Sequence, residues 1–341
     1  MSFGKALVSL LILVAILALA FAGGAWVYLS NEMARTGPHI EAAPFTIRRG
    51  EGMSGVATRL EAQGVITNAY AFRLTARLRQ MDQAIQAGTY NLPARASANA
   101  ILEQLVGGDV VQLRLTIPEG LTTAQILRRI EAAQTLDGEM PNTEIAEGVL
   151  LPDTYIFDVG TTREALLRRM QQAQSDLLAE AWPDRQADLP VTTPQEAIIL
   201  ASIVEKETGK AEERGLIAGL FTGRLQRGMR LESDPTIIYG ISQGEPLYNR
   251  QGERRTLYRS EINRKTDWNT YQIDGLPKTP ICNPGREAIL AVLNPPQTDY
   301  VFFVADGRGG HKFAETYREH QKNVADYRAY ERSEIARERG H

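Results

Sequence analysis

Two carboxylates that close an apolar helix are the residues in this chain best suited to acid–base chemistry. In Ala197-Ile-Ile-Leu-Ala-Ser-Ile-Val204 seven of eight residues are apolar, and Glu205 and Glu207 follow directly. Residues two apart on a helix face different ways, so the pair cannot share one site. Glu207 extends the row of Leu200, Ile203 and Val204, whereas Glu205 extends the less apolar row of Ile198, Ala201 and Ser202. A carboxyl at the end of an apolar stripe is expected to keep its proton to unusually high pH, as a general acid must. Acidic side chains in a last turn also oppose the helix dipole, which argues against a merely solubilising role. Glu207 is therefore the predicted acid, and a solvated pair in a final helical turn is the plainer alternative.

The flanking sequence shows how such a helix would be held. Thr193 reads as its N-cap, with Pro194 at the first helical position, Glu196 completing a capping box and Gly209 as the stop. Before it, Thr162–Ala181 reads as a long amphipathic helix stopped by Trp182-Pro183. After it comes a helix over Glu212–Gln226, with Leu216, Leu220 and Leu225 inward and Gly228 as its close. In Leu231–Gly240, Asp234 before Pro235 reads as an N-cap on a short helix. Gln243–Lys265 is polar and reads as a surface insertion. Trp268–Tyr271, Gly275–Pro277 and Pro280–Gly285 are dense in residues that fix the backbone, as a loop pressed against a substrate would be. A helix over Arg286–Leu293, a strand over Tyr300–Ala305, a hairpin return at His311–Phe313 and a charged helix from Thr316 complete the pattern.

The N-terminal third differs. Ala6–Leu29 carries no charge over 24 residues, enough to cross a bilayer. Ala18-Leu-Ala20 and Ala20-Phe-Ala22 resemble cleavage sites, but the uncharged run continues through Trp26, Val27 and Tyr28, which favours an uncleaved anchor. A linker follows to Pro44. Then come a strand at Phe45–Arg48, a turn at Arg49–Gly52, a helix at Ser54–Gln63 closed by Gly64, a helix at Asn68–Arg79 and a strand at Ile85–Leu92. That order resembles the LysM module, which binds the N-acetylglucosamine of peptidoglycan; a spacer without sugar contacts is the alternative. Ser97 reads as the cap of a helix over Ala98–Val106, followed by a strand over Val110–Ile117 and a helix over Ala124–Ala133 started by Thr122 or Thr123. Gly148–Phe157 reads as a buried segment broken by Pro152-Asp153.

Composition narrows the function further. With 38 basic and 41 acidic residues no nucleic-acid footprint stands out. The single Cys282 allows no intramolecular disulfide and has no nearby histidine to activate it as a nucleophile. Four histidines at 39, 311, 320 and 341, without zinc-ligand spacing, point to no metal and no cofactor; His311 is expected to bond within its hairpin.

Ala201-Ser-Ile-Val-Glu-Lys-Glu-Thr208, Leu231-Glu-Ser-Asp-Pro-Thr-Ile-Ile-Tyr-Gly240, Asn269-Thr-Tyr271, Gly275-Leu-Pro277 and Phe303–His311 resemble blocks of the YceG-like endolytic murein (lytic) transglycosylases, as does Leu151-Pro-Asp-Thr-Tyr155. Lys278 stands where members of that family often carry Pro or a small residue, and Cys282 where a small or polar residue is expected. The resemblance implies an α+β protein in which an N-terminal transmembrane helix and a LysM-like subdomain precede a mixed α/β catalytic domain with a lysozyme-like active-site helix. The corresponding division is a cytoplasmic tail at 1–5, transmembrane helix 6–29, linker 30–44, LysM-like subdomain 45–117, transglycosylase domain 118–330 and C-terminal tail 331–341. It implies a single-pass inner-membrane protein whose periplasmic domain cuts nascent peptidoglycan to 1,6-anhydro ends, with peptidoglycan synthases as candidate partners. Glu207 falls on the family's proposed catalytic acid, and Asp234, Thr236, Tyr239, Asn269, Thr270 and Tyr271 are the expected sugar-binding residues. Two rival readings remain: a hydrolytic muramidase using Glu207 and Asp234, and a non-catalytic membrane-tethered scaffold that binds peptidoglycan.

Overall fold

The structure, a computed structural model, describes residues 3–48 and 50–339. The chain forms two compact units, 1–113 with 156–160 and 114–155 with 161–341.

In the first unit, helix α1 (Phe3–Ala34) contains a stretch, Leu10–Ala34, of 25 residues with mean hydropathy 2.6, long and apolar enough to cross a membrane. Leu11, Leu19, Phe21 and Trp26 stand exposed along it. Its last turn is different. Met33 is buried in the unit's core, and Glu32 accepts hydrogen bonds from Thr67 Oγ1 at 2.6 Å and Arg35 Nη1 at 3.0 Å. Residues 30–34, expected as linker, thus continue the helix because their inner face has a core to enter.

Strand β1 (Ala43–Ile47), helices α2 (Met53–Ala62) and α3 (Ala69–Leu78), strand β2 (Gly88–Leu92) and helix α4 (Ala98–Gly107) follow. β1 and β2 pair antiparallel with Phe45 opposite Tyr90, and both rings are buried with Leu60, Phe72, Ile101 and Leu105. Gly64, at φ +68°, reverses the chain after α2, and Asn68 and Ser97 cap α3 and α4. Arg49, where a turn was expected to begin, lies outside the described residues.

Strands β3 (Leu113–Thr116) and β4 (Thr154–Phe157) lie where the chain passes between the units. β3 is shorter than Val110–Ile117 because Val110 bridges Tyr90 and the Val111 N–H donates to Thr89 O, both on β2.

The second unit holds α5 (Thr123–Glu131), α6 (Arg163–Ala181), α7 (Pro194–Glu207), α8 (Ala211–Gln226), α9 (Asp234–Ser242), α10 (Arg259–Ile262), α11 (Arg286–Leu293), the hairpin β5 (Phe302–Ala305) with β6 (His311–Ala314), and α12 (Tyr317–Arg339). α7 is its central element: every residue from Ala197 to Val204 is buried, packed with Leu220 and Phe221 of α8 and Ile289, Val292 and Leu293 of α11. Each such fully buried large side chain contributes about 1.5–3 kcal/mol. On α8 the buried face is Ile217, Leu220, Phe221 and Arg224, with Leu216 and Leu225 only half-buried at its edges. α12 carries residues 331–339, expected as a tail, in helical form; Gly340 and His341 lie outside the described residues.

Candidate active site

α7 begins as its sequence dictates. Thr193 Oγ1 accepts the Glu196 N–H at 3.2 Å, and Glu196 Oε2 accepts the Thr193 N–H at 3.2 Å. The helix stops at Glu207 rather than at Gly209: Thr208 is already extended, at φ −138° and ψ 134°. Its Oγ1 donates to Glu213 Oε2 and accepts the Lys210 N–H, so a β-branched residue held from both sides ends the helix.

Glu207 therefore projects from the last turn of a buried helix. Its Oε1 is sealed from solvent and has no hydrogen-bond partner, although the residue as a whole is only half-buried. Burial pushes the carboxyl up from 4.5 to about 7, with the Asp234 charge adding to the rise and the Ser233 hydroxyl and Arg224 opposing it. Ser233 Oγ is likewise buried, and neither it nor Oε1 completes a hydrogen bond of good geometry. Glu205 faces elsewhere: its Oε2 accepts the Gly285 N–H at 3.1 Å, and burial raises its pKa.

The segment facing Glu207 is fixed from below by Arg224. This guanidinium, 5% exposed, donates to Val301 O, Arg230 O and Leu231 O and pairs with Glu232 at 3.3 Å. Glu232 takes φ +51°, a left-handed conformation costly for a residue with a Cβ, immediately before Ser233. The Ser233 N–H donates to Thr270 Oγ1, and its carbonyl accepts from Thr236, so only its hydroxyl is uncommitted.

The expected sugar-binding residues separate into two sets. Thr236, Asn269 and Thr270 are buried and spent on protein. Thr236 and Thr270 bond to each other at 2.9 Å, and Asn269 Nδ2 donates to the carbonyls of Glu261, Ile262 and Arg264. In the structure the polar side-chain atoms of these three have protein partners. Asp234 and Tyr271 are different: Tyr271 OH donates to the exposed Asp234 Oδ1 at 2.8 Å. Asp234 is not the N-cap; Ser233 holds that position and Asp234 opens α9. Tyr239 is buried, with its hydroxyl donating to Glu147 Oε2 at 3.2 Å and its ring edge-on to Trp268 at 5.7 Å.

Glu147, Asn283, Ser233 and Arg224 were not anticipated. Glu147 Oε1 accepts from the Thr123 N–H at 2.7 Å and from Asn283 Nδ2 at 2.9 Å, and burial raises its pKa. Asn283 also donates to Leu121 O and accepts the Leu150 N–H, binding the 280–285 loop to the start of α5. Ser202 Oγ of α7 accepts the Ile281 N–H at 3.0 Å. Cys282 is buried and burial pushes its thiol up, so the reactive thiolate is disfavoured. Lys278 is exposed and pairs with Asp267 at 3.3 Å. His311 reaches across its hairpin to α8 rather than within it, its Nδ1 lying 2.7 Å from Glu213 Oε2, while His320 stacks on Phe302. Of the unanticipated four, only Arg224 had a sequence signal: a lone arginine one turn on from Leu220 and Phe221, on the inward face of α8.

A cleft of about 250 Å³ is lined by Lys206, the residue before Glu207 in the chain, and by Pro235 and Tyr239 of α9, while Glu207 itself is not in its lining. A carboxyl raised toward neutrality at the end of a buried helix has the property a general acid needs. Residues 45–326 match the YceG-like family, and the chain belongs to it. It is 27% identical over 312 residues to a protein of Bacillus subtilis (strain 168) named endolytic murein transglycosylase, covering 82% of this chain and 83% of that one. A protein of the same name from Streptococcus pneumoniae serotype 2 (strain D39 / NCTC 7466) is 28% identical over 326 residues, covering 82% of this chain; the chain spans 57% of that relative's length. A crystal structure of a yceG-like protein from Listeria monocytogenes aligns with 83% of this chain and 99% of its own, at 28% identity and a TM-score of 0.50.

Proposed function

We propose that the chain is a membrane-anchored endolytic lytic transglycosylase of peptidoglycan, with Glu207 as its acid and base. The observation that carries this reading is the sealed, unbonded Glu207 Oε1 on a carboxyl whose pKa stands at about 7. An acid of that pKa is protonated in a useful fraction of molecules at neutral pH and still gives up its proton readily. The relatives' shared name, endolytic murein transglycosylase, supports the substrate and the reaction class.

Neutral Glu207 protonates the oxygen joining N-acetylmuramic acid to N-acetylglucosamine, and the bond breaks through an oxocarbenium-like transition state. The C6 hydroxyl of the same muramic acid attacks C1 and its proton passes to ionised Glu207. The acid is regenerated, a 1,6-anhydro end forms, and no water is consumed. The attacking hydroxyl belongs to the reacting sugar, so the step has an intramolecular advantage. Asp234 and Tyr271 hold the sugars at the exposed side of the site, and Glu147 fixes Tyr239 at the neighbouring cleft.

α1 serves as the single inner-membrane anchor, with the rest of the chain in the periplasm, where the glycan is. The β1–α2–α3–β2 arrangement acts as a LysM-like grip on the strand, and α7 is the counterpart of the lysozyme active-site helix. Peptidoglycan synthases are the partners that would deliver nascent strands. One observation favours a second reading: the exposed Asp234 carboxylate, whose charge acts on Glu207, could activate water and make the enzyme a hydrolytic muramidase. Full-length protein in detergent, incubated with uncross-linked glycan and followed by mass spectrometry, tests both. Anhydro ends are expected; reducing ends mean hydrolysis, and no turnover from pH 5 to 8 refutes catalysis.

A further inference from the structure

We propose that the cleft beside Lys206 is a carboxylate subsite that takes the acidic peptide branching from the muramic acid of the strand being cut. The choice of ligand rests on the proposed reaction, whereas the chemistry of the cleft rests on its own residues.

The charged lining is three cations, Lys206, Arg254 and Arg255, against one carboxylate, Glu245. That carboxylate is already paired with Arg128, and Arg255 is held by both oxygens of Glu261 at 2.7 and 2.8 Å. Two cations remain open to a ligand. Lys206 Nζ donates once, to Gly120 O at 3.2 Å, leaving further donors on the ammonium. Arg254 is exposed, and its guanidinium has no carboxylate partner among the described residues. An arginine fork and an ammonium around one cavity form a receptor for a carboxylate.

The rest of the lining is mostly apolar, with Pro235, Ile238, Leu247 and Ile281 beside Thr122 and Tyr239. A volume of about 250 Å³ is more than a bare carboxylate fills and suits an acidic group on an aliphatic body. Position agrees with this. Lys206 precedes Glu207 on α7, and Pro235 follows Asp234 on α9, so two lining residues lie one step along the chain from the acid and from its charged neighbour, with Glu207 itself outside the lining. A muramic acid with its glycosidic oxygen at Glu207 carries a lactyl-linked peptide that, at about 3.3 Å per residue, reaches well beyond such a step. The lactyl carboxylate of a sugar stripped of its peptide is the other source of the same charge, and it would leave the apolar wall unfilled.

Direct binding tests the subsite. Full-length protein in detergent is titrated calorimetrically at low salt with a soluble N-lactyl tripeptide ending in a diamino acid, and separately with lactate. The peptide is expected to bind, more weakly at high salt, with affinity at least tenfold lower in Arg254→Glu and largely kept in Arg254→Lys. Lactate is expected to bind far more weakly. No peptide binding, equal binding by Arg254→Glu, or equal affinity for lactate overturns the proposal. The kinetic counterpart is the ratio of kcat/KM on peptide-bearing strands to that on strands stripped by an amidase, expected to fall at least fivefold in Arg254→Glu through KM. If the peptide binds through Arg254 but no strand is cut, the assignment of Glu207 fails and the subsite stands. If strands are cut but the peptide does not bind, the subsite fails and Glu207 stands.

Discussion

Glu196 and Glu207 sit at the two ends of one helix and have opposite chemistry. Glu196 lies in the first turn, where its Oε2 accepts the Thr192 and Thr193 N–H groups and the Thr192 hydroxyl; these bonds hold its carboxyl below the usual glutamate range. Glu207 lies in the last turn, where the backbone offers carbonyls instead of N–H groups, Oε1 has no donor, and burial lifts the pKa to about 7. The same side chain thus stabilises the fold as a carboxylate at one end and holds its proton toward neutral pH at the other. The capping bonds of the first turn set the helix in place, and the packing of its middle carries the last carboxyl into a dry position.

The sharpest way to break this contrast is to remove the titrating proton. Glu207→Gln keeps the shape and loses the acid, so glycan release should fall by about 10²–10⁴-fold, the usual worth of a general acid. Product release measured chromatographically on uncross-linked glycan checks it, and wild-type rates in the variant would remove Glu207 from the mechanism.

The same substitution should have a second consequence, in stability. A folded-state pKa of about 7, above the ordinary 4.5, means that the folded protein holds the Glu207 proton more tightly than the unfolded chain. That contribution is complete below pH 4.5 and is lost as pH rises through 7. A shift of this size corresponds to about 3 kcal/mol. Glu207→Gln should therefore match the wild type near pH 4 and exceed it by up to about 3 kcal/mol at pH 8.5, read from urea denaturation at the two pH values. Equal stability at both would mean that the carboxyl is solvated.

How much of this was legible follows from which interactions are local. The capping box at Thr193 and the apolar row leading to Glu207 are set by neighbours three, four and seven residues away, and the structure keeps both. Partners distant in sequence leave no such mark. Thr236, Asn269 and Thr270 have the residue types of sugar ligands, yet each is consumed by the others or by nearby carbonyls. Ser233 reads as an ordinary serine until Thr270 is seen to fix its backbone and leave its hydroxyl beside the acid. β3 is short because Val110 and Val111 bond to β2, some twenty residues earlier, a register that alternation alone cannot show.

Ser233 allows a finer test. Its hydroxyl lowers the Glu207 pKa, so Ser233→Ala should raise it and move the alkaline fall of kcat/KM, centred near pH 7 in the wild type, to higher pH. The alkaline fall should move without a matching loss of the low-pH plateau, and Ser233→Thr should restore part of the shift. A uniform loss of rate at every pH would show that Ser233 only shapes the loop.

The smallest effect is expected at the opposite end of the helix. Glu196→Gln removes the charge but keeps an oxygen for the Thr192 and Thr193 donors, costing about 0.5–1 kcal/mol at pH 7. Because the folded-state pKa of Glu196 is depressed, that stability is present above its ordinary value of 4.5 and is lost as pH falls through the lower folded value. The gap between variant and wild type should accordingly close in acid, whereas the gap for Glu207→Gln opens in alkali. Cleavage should be unaffected, since at about 1.5 Å per residue the two carboxyls are separated by most of the helix. If Glu196→Gln slowed the reaction without destabilising the protein, the first turn would be tuning the acid through the helix itself, and the division of labour between the two ends would fail.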